Sequence, residues 1–374
     1  MRTSNRAWAE INLAHLKHNL FELMRALPSR CSVMAVVKAN AYGHGGIEVA
    51  KFLNEIGVIH FAVASIEEAI ELRRHGVQGE ILILGYTSPD RADDLFSYQL
   101  TQTIVSADYG RALDERGRKI KVHVKIDTGM HRLGESHRNT DEILSCFNPI
   151  HLRVNGTYSH LSVSDSLDRE KVAFTTMQLA QFNAVIDRIR SEGLNPGNVH
   201  IQSSYGILNY PDIAFDLARP GIALYGLLSN EEDRVVTQAK LQPVLSLRAT
   251  VSQVSDVPAH HPVGYGHKFI PSQDVRIATV SIGYADGIPK NLADNGGYVL
   301  IRGQRANMTG SICMDQFMVD VTSIEEVRQG DTVTIIGQDG TETITAGLIA
   351  KQCGTVTNEI VSRIGSRVER VYVS

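Results

Sequence analysis

The feature that most constrains this chain is an alternation repeated eight times. A short apolar run is followed by a stretch whose apolar residues recur at helical spacing. The runs are "VMAVV" (33–37), "FAVA" (61–64), "ILIL" (81–84), "TIV" (103–105), "VHVKI" (122–126), "GTYSH" (156–160), "VHIQ" (199–202) and "IALYG" (222–226). They are too short for helices and mostly lack polar alternation, as expected of parallel strands buried on both faces. Between them lie segments such as "IEEAIELRRHG" (66–76) and "FTTMQLAQFNAVIDRIRSEG" (174–193), each closed by a glycine, which is a helix stop signal. The alternation predicts an α/β fold with a parallel sheet. A count of eight favours a closed (β/α)8 TIM-type barrel. An open doubly wound sheet is the alternative, but no G-x-G-x-x-G follows the first strand.

After about residue 238 the pattern changes. "VLSLRATVSQVSDV", "VRIATVSIGYADG", "YVLIRGQRANMTGS", "FMVDVTSI" and "DTVTIIGQDG" are β-branched runs broken by Gly, Asp and Asn turns. They predict a mostly β C-terminal domain, with one helix beginning near Thr357 and an edge strand in "RVERVYVS". The expected domains are therefore 1–237, a barrel, and 238–374, a β domain. The first ten or so residues are free to pair with the latter.

Composition excludes several function classes. Net charge is −4 with both signs interspersed, so there is no basic stripe for nucleic acid. The four cysteines (Cys31, Cys146, Cys313, Cys353) lie far apart without C-x-x-C or zinc-like spacing. They suit reduced thiols in the cytoplasm better than a disulfide framework, and no metal site is expected. No apolar run approaches the ~18 residues needed to span a bilayer. The chain is expected to be soluble as given, either as a cytoplasmic protein or as the cytoplasmic part of a membrane-bound one.

In such barrels chemistry sits on the loops at the strands' C-terminal ends. Those positions hold Lys38 and Tyr42 after the first run, and Lys125, Asp127 and Arg132 around the fifth. His160 and Ser162 follow the sixth, Ser203 and Ser204 the seventh, and Arg219, Gly221 and Ile222 lie around the eighth. The set has no carboxylate pair, metal cluster or nucleophile triad. It has a lysine, several cations, and hydroxyls and amides suited to phosphate. A lysine facing a phosphate-bearing aldehyde forms a Schiff base, the usual anchor of pyridoxal 5'-phosphate.

"AVVKANAYGHG" resembles the pyridoxal-phosphate attachment motif of alanine racemases. "KIDTGMHRLG", "YSHLS", "ARPGIALYG", "VGYGHKF", "SIGYADGIP" and "GSICMDQFMVDV" resemble further blocks of that family, in family order from about residue 7 to the C-terminus. The resemblance implies that Lys38 is the Schiff-base lysine and one of two acid/base groups. It implies that Tyr265 is the other, supplied from the β domain to the partner subunit of a homodimer with shared active sites. Racemisation removes a proton from one face of Cα and returns one on the other, so two groups suit it. The resemblance sets His160 beside that tyrosine and Arg219, as a candidate proton relay in the cofactor-binding set. Arg219 matches the residue facing the pyridine nitrogen. A guanidinium does not readily release a proton, so the nitrogen stays unprotonated and the ring is a weaker electron sink. Arg132 matches a contact to the cofactor's ring oxygen and the substrate carboxylate. Lys125 matches a lysine carbamylated in many members. Tyr42, Ser204, Gly221 and Ile222 match phosphate contacts, the last two through backbone amides. Met314 matches a substrate contact from the partner, and Tyr284 an entrance-corridor residue.

Departures from the family concern specificity. Asn358 in "GTVTNEIVSRIGSRV" replaces a tyrosine that packs beside the substrate methyl group, and Ile288 and Lys290 replace an aromatic and an arginine. Asparagine is smaller and both donates and accepts, so it would admit and hold the hydroxyl of serine. The bland reading is an N-cap at the start of a helix. An asparagine here resembles the racemase portions of membrane-bound serine/alanine racemases of vancomycin resistance. The resemblance implies a racemase acting on serine, alanine or both, supplying D-amino acids for peptidoglycan precursors. It also implies an N-terminal membrane domain that this chain does not include. Two other readings fit these residues less well. Barrel-type decarboxylases of basic amino acids set an acid against the pyridine nitrogen, which Arg219 opposes. Non-catalytic pyridoxal-phosphate-binding homeostasis proteins lack the β domain that carries Tyr265.

Overall fold

The computed structural model describes residues 6–374. Eight strands form a closed parallel barrel: Ser32–Val36, His60–Val63, Glu80–Ile83, Thr101–Ile104, Lys121–Asp127, Arg153–Tyr158, Asn198–His200 and Leu217–Ala218. Each pairs with its chain neighbours, and the eighth closes the ring through Leu217↔Ser32 and Ala218↔Val33. Their buried faces make both the barrel interior and the seat for the outer helices. Helix Ile66–Arg74 illustrates the local rules. The Ser65 hydroxyl accepts from the Glu68 amide, Glu67 and Glu68 occupy the first turn, and Arg73 and Arg74 the last. Cap and charges both complement the helix dipole.

Two expectations need correction. "IALYG" is not the eighth strand: Ile222–Tyr225 is a 3-10 turn, and the closing strand is the two-residue Leu217–Ala218 just before it. The turn is as buried as a strand, which is why its apolar run misleads. The C-terminal region also has two helices, because Ala346–Cys353 precedes Thr357–Ser362. The Thr345 hydroxyl caps the former by accepting from the Leu348 amide.

Among the described residues the second sheet has nine strands and is built largely around Leu245–Val257, which pairs with three others. Ala7–Asn12 joins it, antiparallel to Leu245–Val257 and parallel to the edge strand Glu369–Val373. Of that N-terminal stretch, residues 1–5 lie outside the described residues. The four cysteines are free. No helix among the described residues is long and apolar enough to cross a membrane.

Candidate active site

A cavity of about 430 Å³ opens at the C-terminal mouth of the barrel. Lys38, Tyr42, Lys125, Arg132 and His160 line it, as do Ser204, Arg219, Gly221, Ile222 and Asn358. All ten were singled out in the sequence. Four cationic side chains face one lining carboxylate, Asp165, so the cavity is built for an anion.

Lys38 follows the first strand and is largely withdrawn from solvent. Burial, then the Arg132 and Arg219 charges, push its amine below the usual lysine range. Lys125 points inward from the fifth strand and is 7% exposed. Its Nζ lies 4.6 Å from the centre of the Tyr158 ring. Burial first, then Arg219 and Arg132, lower its pKa strongly. Arg132 is exposed at the rim.

Arg219, 3% exposed, follows the closing strand. It donates from Nη1 to His200 Nδ1 at 2.5 Å, and from Nη2 to the Ser159 and Ile201 carbonyls at 2.8 and 3.1 Å. Nη2 also lies 3.2 Å from His160 Nδ1. Burial lowers the guanidinium to about 10, so it remains a cation at neutral pH and donates to both rings. His160 and His200 are held well below the usual histidine range, by burial first and Arg219 second.

Behind Arg219 a polar chain runs down the barrel axis. His200 Nε2 lies 2.9 Å from His123 Nδ1, and His123 Nε2 3.4 Å from Glu80 Oε1. Burial alone would raise the Glu80 carboxyl, but hydrogen bonds with His123 and His60 hold it far below the carboxylate range. A Cβ at residue 156 would sit 2.6 Å from the His123 ring, so Gly156 makes room for it. Sequence reading missed this chain. Strand alternation in "VHVKID", which puts His123 and Lys125 on one face, was the available signal.

At the far wall Ser204 Oγ accepts from the Gly221 and Ala223 amides at 2.9 and 3.1 Å. A Cβ on Gly221 would lie 2.5 Å from Tyr42 Oη, so a glycine here keeps the phenol in place. The Tyr42 phenol is pushed up to about 12 by burial and stays a neutral donor. Asp127 Oδ1 accepts from the amides of Gly129, Met130 and His131, which makes it a loop organiser rather than a reacting group. Ser162 is likewise committed, to Gln178.

Asn358 is the second residue of its helix. Val356 holds the N-cap position, and no side-chain cap bond is made. The capping reading is therefore set aside. Its Oδ1 is buried and has no hydrogen-bond partner.

Tyr265, Met314 and Tyr284 are not brought to this cavity. They lie on the β domain, 74%, 52% and 39% exposed.

Two family descriptions match the chain: "Alanine racemase, N-terminal domain" over residues 11–229 and "Alanine racemase, C-terminal domain" over 244–372. An "Amino-acid racemase" of Enterococcus faecalis is 45% identical over 98% of this chain and 51% of its own length. A "Serine/alanine racemase" of Enterococcus gallinarum is 40% identical over 97% of this chain and 51% of its own length. The chain thus spans about half the length of these curated relatives. An "Alanine racemase" of Carboxydothermus hydrogenoformans is 40% identical over 98% of this chain and 99% of its own length. The solved structure of alanine racemase from Clostridium difficile 630 superposes with a TM-score of 0.93 at 33% identity, covering 100% of this chain and 97% of that one.

Proposed function

The chain belongs to the alanine racemase family, and from that premise we propose that it is a pyridoxal-phosphate-dependent racemase interconverting the L and D forms of alanine and serine. The observation that carries this reading is Lys38, depressed in pKa, facing a net cationic cavity that ends in an amide-and-hydroxyl wall.

The residues present fit pyridoxal phosphate. The cavity is of ligand size. Its four basic side chains suit the phosphate and a substrate carboxylate, and the Gly221 surface is open where a side chain would intrude. When bound, pyridoxal phosphate supplies the electron sink that acidifies the substrate's Cα–H.

Lys38 would hold the cofactor's carbonyl carbon, and its lowered pKa keeps a share of the amine neutral and nucleophilic. Tyr42, Ser204, Gly221 and Ile222 would bind the phosphate. Arg219, locked by four contacts, would orient the ring by donating to the pyridine nitrogen and would not release a proton to it. Arg132 at the rim would take the substrate carboxylate, with Met314 of a second copy. Lys38 Nζ serves one face of Cα. Tyr265 of a second copy serves the other, with Tyr284 in its approach and neutral His160 as the relay beside its hydroxyl. Inversion follows because the proton leaves to one group and a proton arrives from the other. Lys125 sits where a carbamate would balance Arg132. Burial lowers its pKa, which favours the neutral amine that carbon dioxide would need.

Serine enters the proposal through Asn358. A buried carbonyl oxygen without a partner, in the wall of the cavity, is an acceptor for a substrate hydroxyl. D-serine made here would feed peptidoglycan precursors, the vancomycin-resistance setting. Four free thiols suit a reducing cytoplasm.

The test is racemisation of L-serine and L-alanine side by side, by the wild type and Asn358→Tyr. The wild type should turn over both. The substitution should lower serine turnover about 10- to 100-fold relative to alanine, the size of one lost pocket contact. Turnover of alanine alone would leave an ordinary alanine racemase. Turnover of neither would end the racemase reading.

A further inference from the structure

Lys38 heads a turn that runs against backbone preference. Ala39, Asn40, Ala41 and Tyr42 have φ of 52–53°, four consecutive L residues in the left-handed region. That region is normally visited by single residues, and strain of this kind persists only where the surroundings over-determine it.

Some of the restraint is local. The Gly43 and Gly45 amides donate back to the Ala39 and Asn40 carbonyls at 2.9 and 3.0 Å. The Ala39 amide donates to Glu68 Oε1 at 2.6 Å, and Asn40 Oδ1 accepts from the Gly46 amide at 2.6 Å.

The rest comes from the other end of the chain. Arg370, on the edge strand of the β domain, donates to the Gly43 carbonyl from both Nε and Nη2, each at 3.0 Å. Its remaining bonds go to the carbonyls of Ile364 (2.6 Å), Gly365 (2.5 Å) and Val368 (2.6 Å). Every acceptor is a main-chain carbonyl. Tyr372 Oη donates to the next carbonyl, His44 O, at 3.3 Å. The two segments touch so closely that a Cβ at residue 43 would lie 2.0 Å from Val361 O, and one at residue 45 would lie 1.8 Å from Tyr372 Oη. The helix Thr357–Ser362, which carries Asn358, packs on the same turn.

We propose that Arg370 is a positioning residue for Lys38 and Tyr42. One planar cation ties the exit of the strained turn to the segment just after the Asn358 helix, so cofactor lysine and substrate pocket share one anchor. A fork of five N–H donors bridges several carbonyls at once; a lysine ammonium does not reproduce that geometry. This role rests on the proposed function of Lys38, but the clamp itself does not.

The test compares wild type, Arg370→Met and Arg370→Lys by amide hydrogen exchange, thermal melting and steady-state racemisation of L-alanine. In Arg370→Met, exchange across residues 38–46 should rise at least tenfold, while the barrel strand 80–83 stays at its wild-type rate. The kcat should fall about 100-fold with a smaller change in KM, as for a reacting group displaced by about 1 Å. Arg370→Lys should lie between. If the Met variant does not fold, the Lys variant decides by the same exchange readout. Unchanged exchange across 38–46 would overturn the clamp whatever happens to activity. Faster exchange in a protein whose wild type racemises nothing would keep the clamp and remove the function assigned to Lys38.

Discussion

The two regions that carry the proposed acid/base groups are built in opposite ways. At the barrel mouth Lys38 heads an over-determined turn, and Arg219 is 3% exposed with four polar contacts. On the β domain Tyr265 is 74% exposed, in a three-residue turn flanked by Gly264 and containing Gly266, both with positive φ. A group that must act within a fraction of an ångström is not held by water. The contrast fits a chain that folds one half of a site to completion and, as we propose, presents the other half for a second molecule to hold. The dimer we propose is the means by which both halves become rigid.

The contrast can be broken most forcefully on the barrel side. Lys38→Ala should lower turnover by about 10⁴-fold or more, because cofactor anchor and one acid/base group go together. Residual activity above about 1% in a racemisation assay would mean another group does this work. On the β side, Tyr265→Phe should cost about 10²- to 10⁴-fold in kcat with no change in thermal melting, since the hydroxyl supports nothing in the fold. A large drop in melting temperature would mean the hydroxyl makes a structural contact that its exposure does not show.

The buried half should also be the acid-sensitive half. His44 follows the Lys38 turn, fully buried, and desolvation lowers its pKa from 6.5 to about 4. The folded state therefore binds fewer protons than the unfolded state between those values. Its contribution is complete above pH 6.5 and is lost as pH falls towards 4, by about 3 kcal/mol in all. Urea unfolding at pH 7 and pH 4.5 should show the loss, and His44→Leu should flatten it. The smallest expected effect is Gly221→Ala, whose Cβ would push on the Tyr42 phenol. Cofactor retention should weaken about tenfold, the size of one displaced hydrogen bond, in an absorbance titration.

Barrel strands were legible because strands buried on both faces read as continuous apolar runs. The eighth was not: Leu217–Ala218 is too short to show a period, and the neighbouring turn Ile222–Tyr225 is equally apolar. In the site, residues at strand ends such as Lys38, Arg219 and Ser204 were legible from position. His200, His123 and Glu80 were not, since which inward-facing groups meet depends on register around a closed barrel. Arg370 was beyond reach, its contact with Gly43 spanning 327 positions. Asn358 lay between the two cases. Its residue type suggested either a cap or a pocket wall, and only the start of the helix at Thr357 separates them.

We propose that one chain's Lys38 works with another chain's Tyr265. Lys38→Ala and Tyr265→Phe proteins, each nearly inactive, can be mixed in equal amounts under conditions that exchange subunits. Random pairing makes half the dimers mixed, and each mixed dimer rebuilds one intact site of two, so about a quarter of wild-type activity should return. If exchange is verified and no activity returns, the two residues do not share a site across subunits.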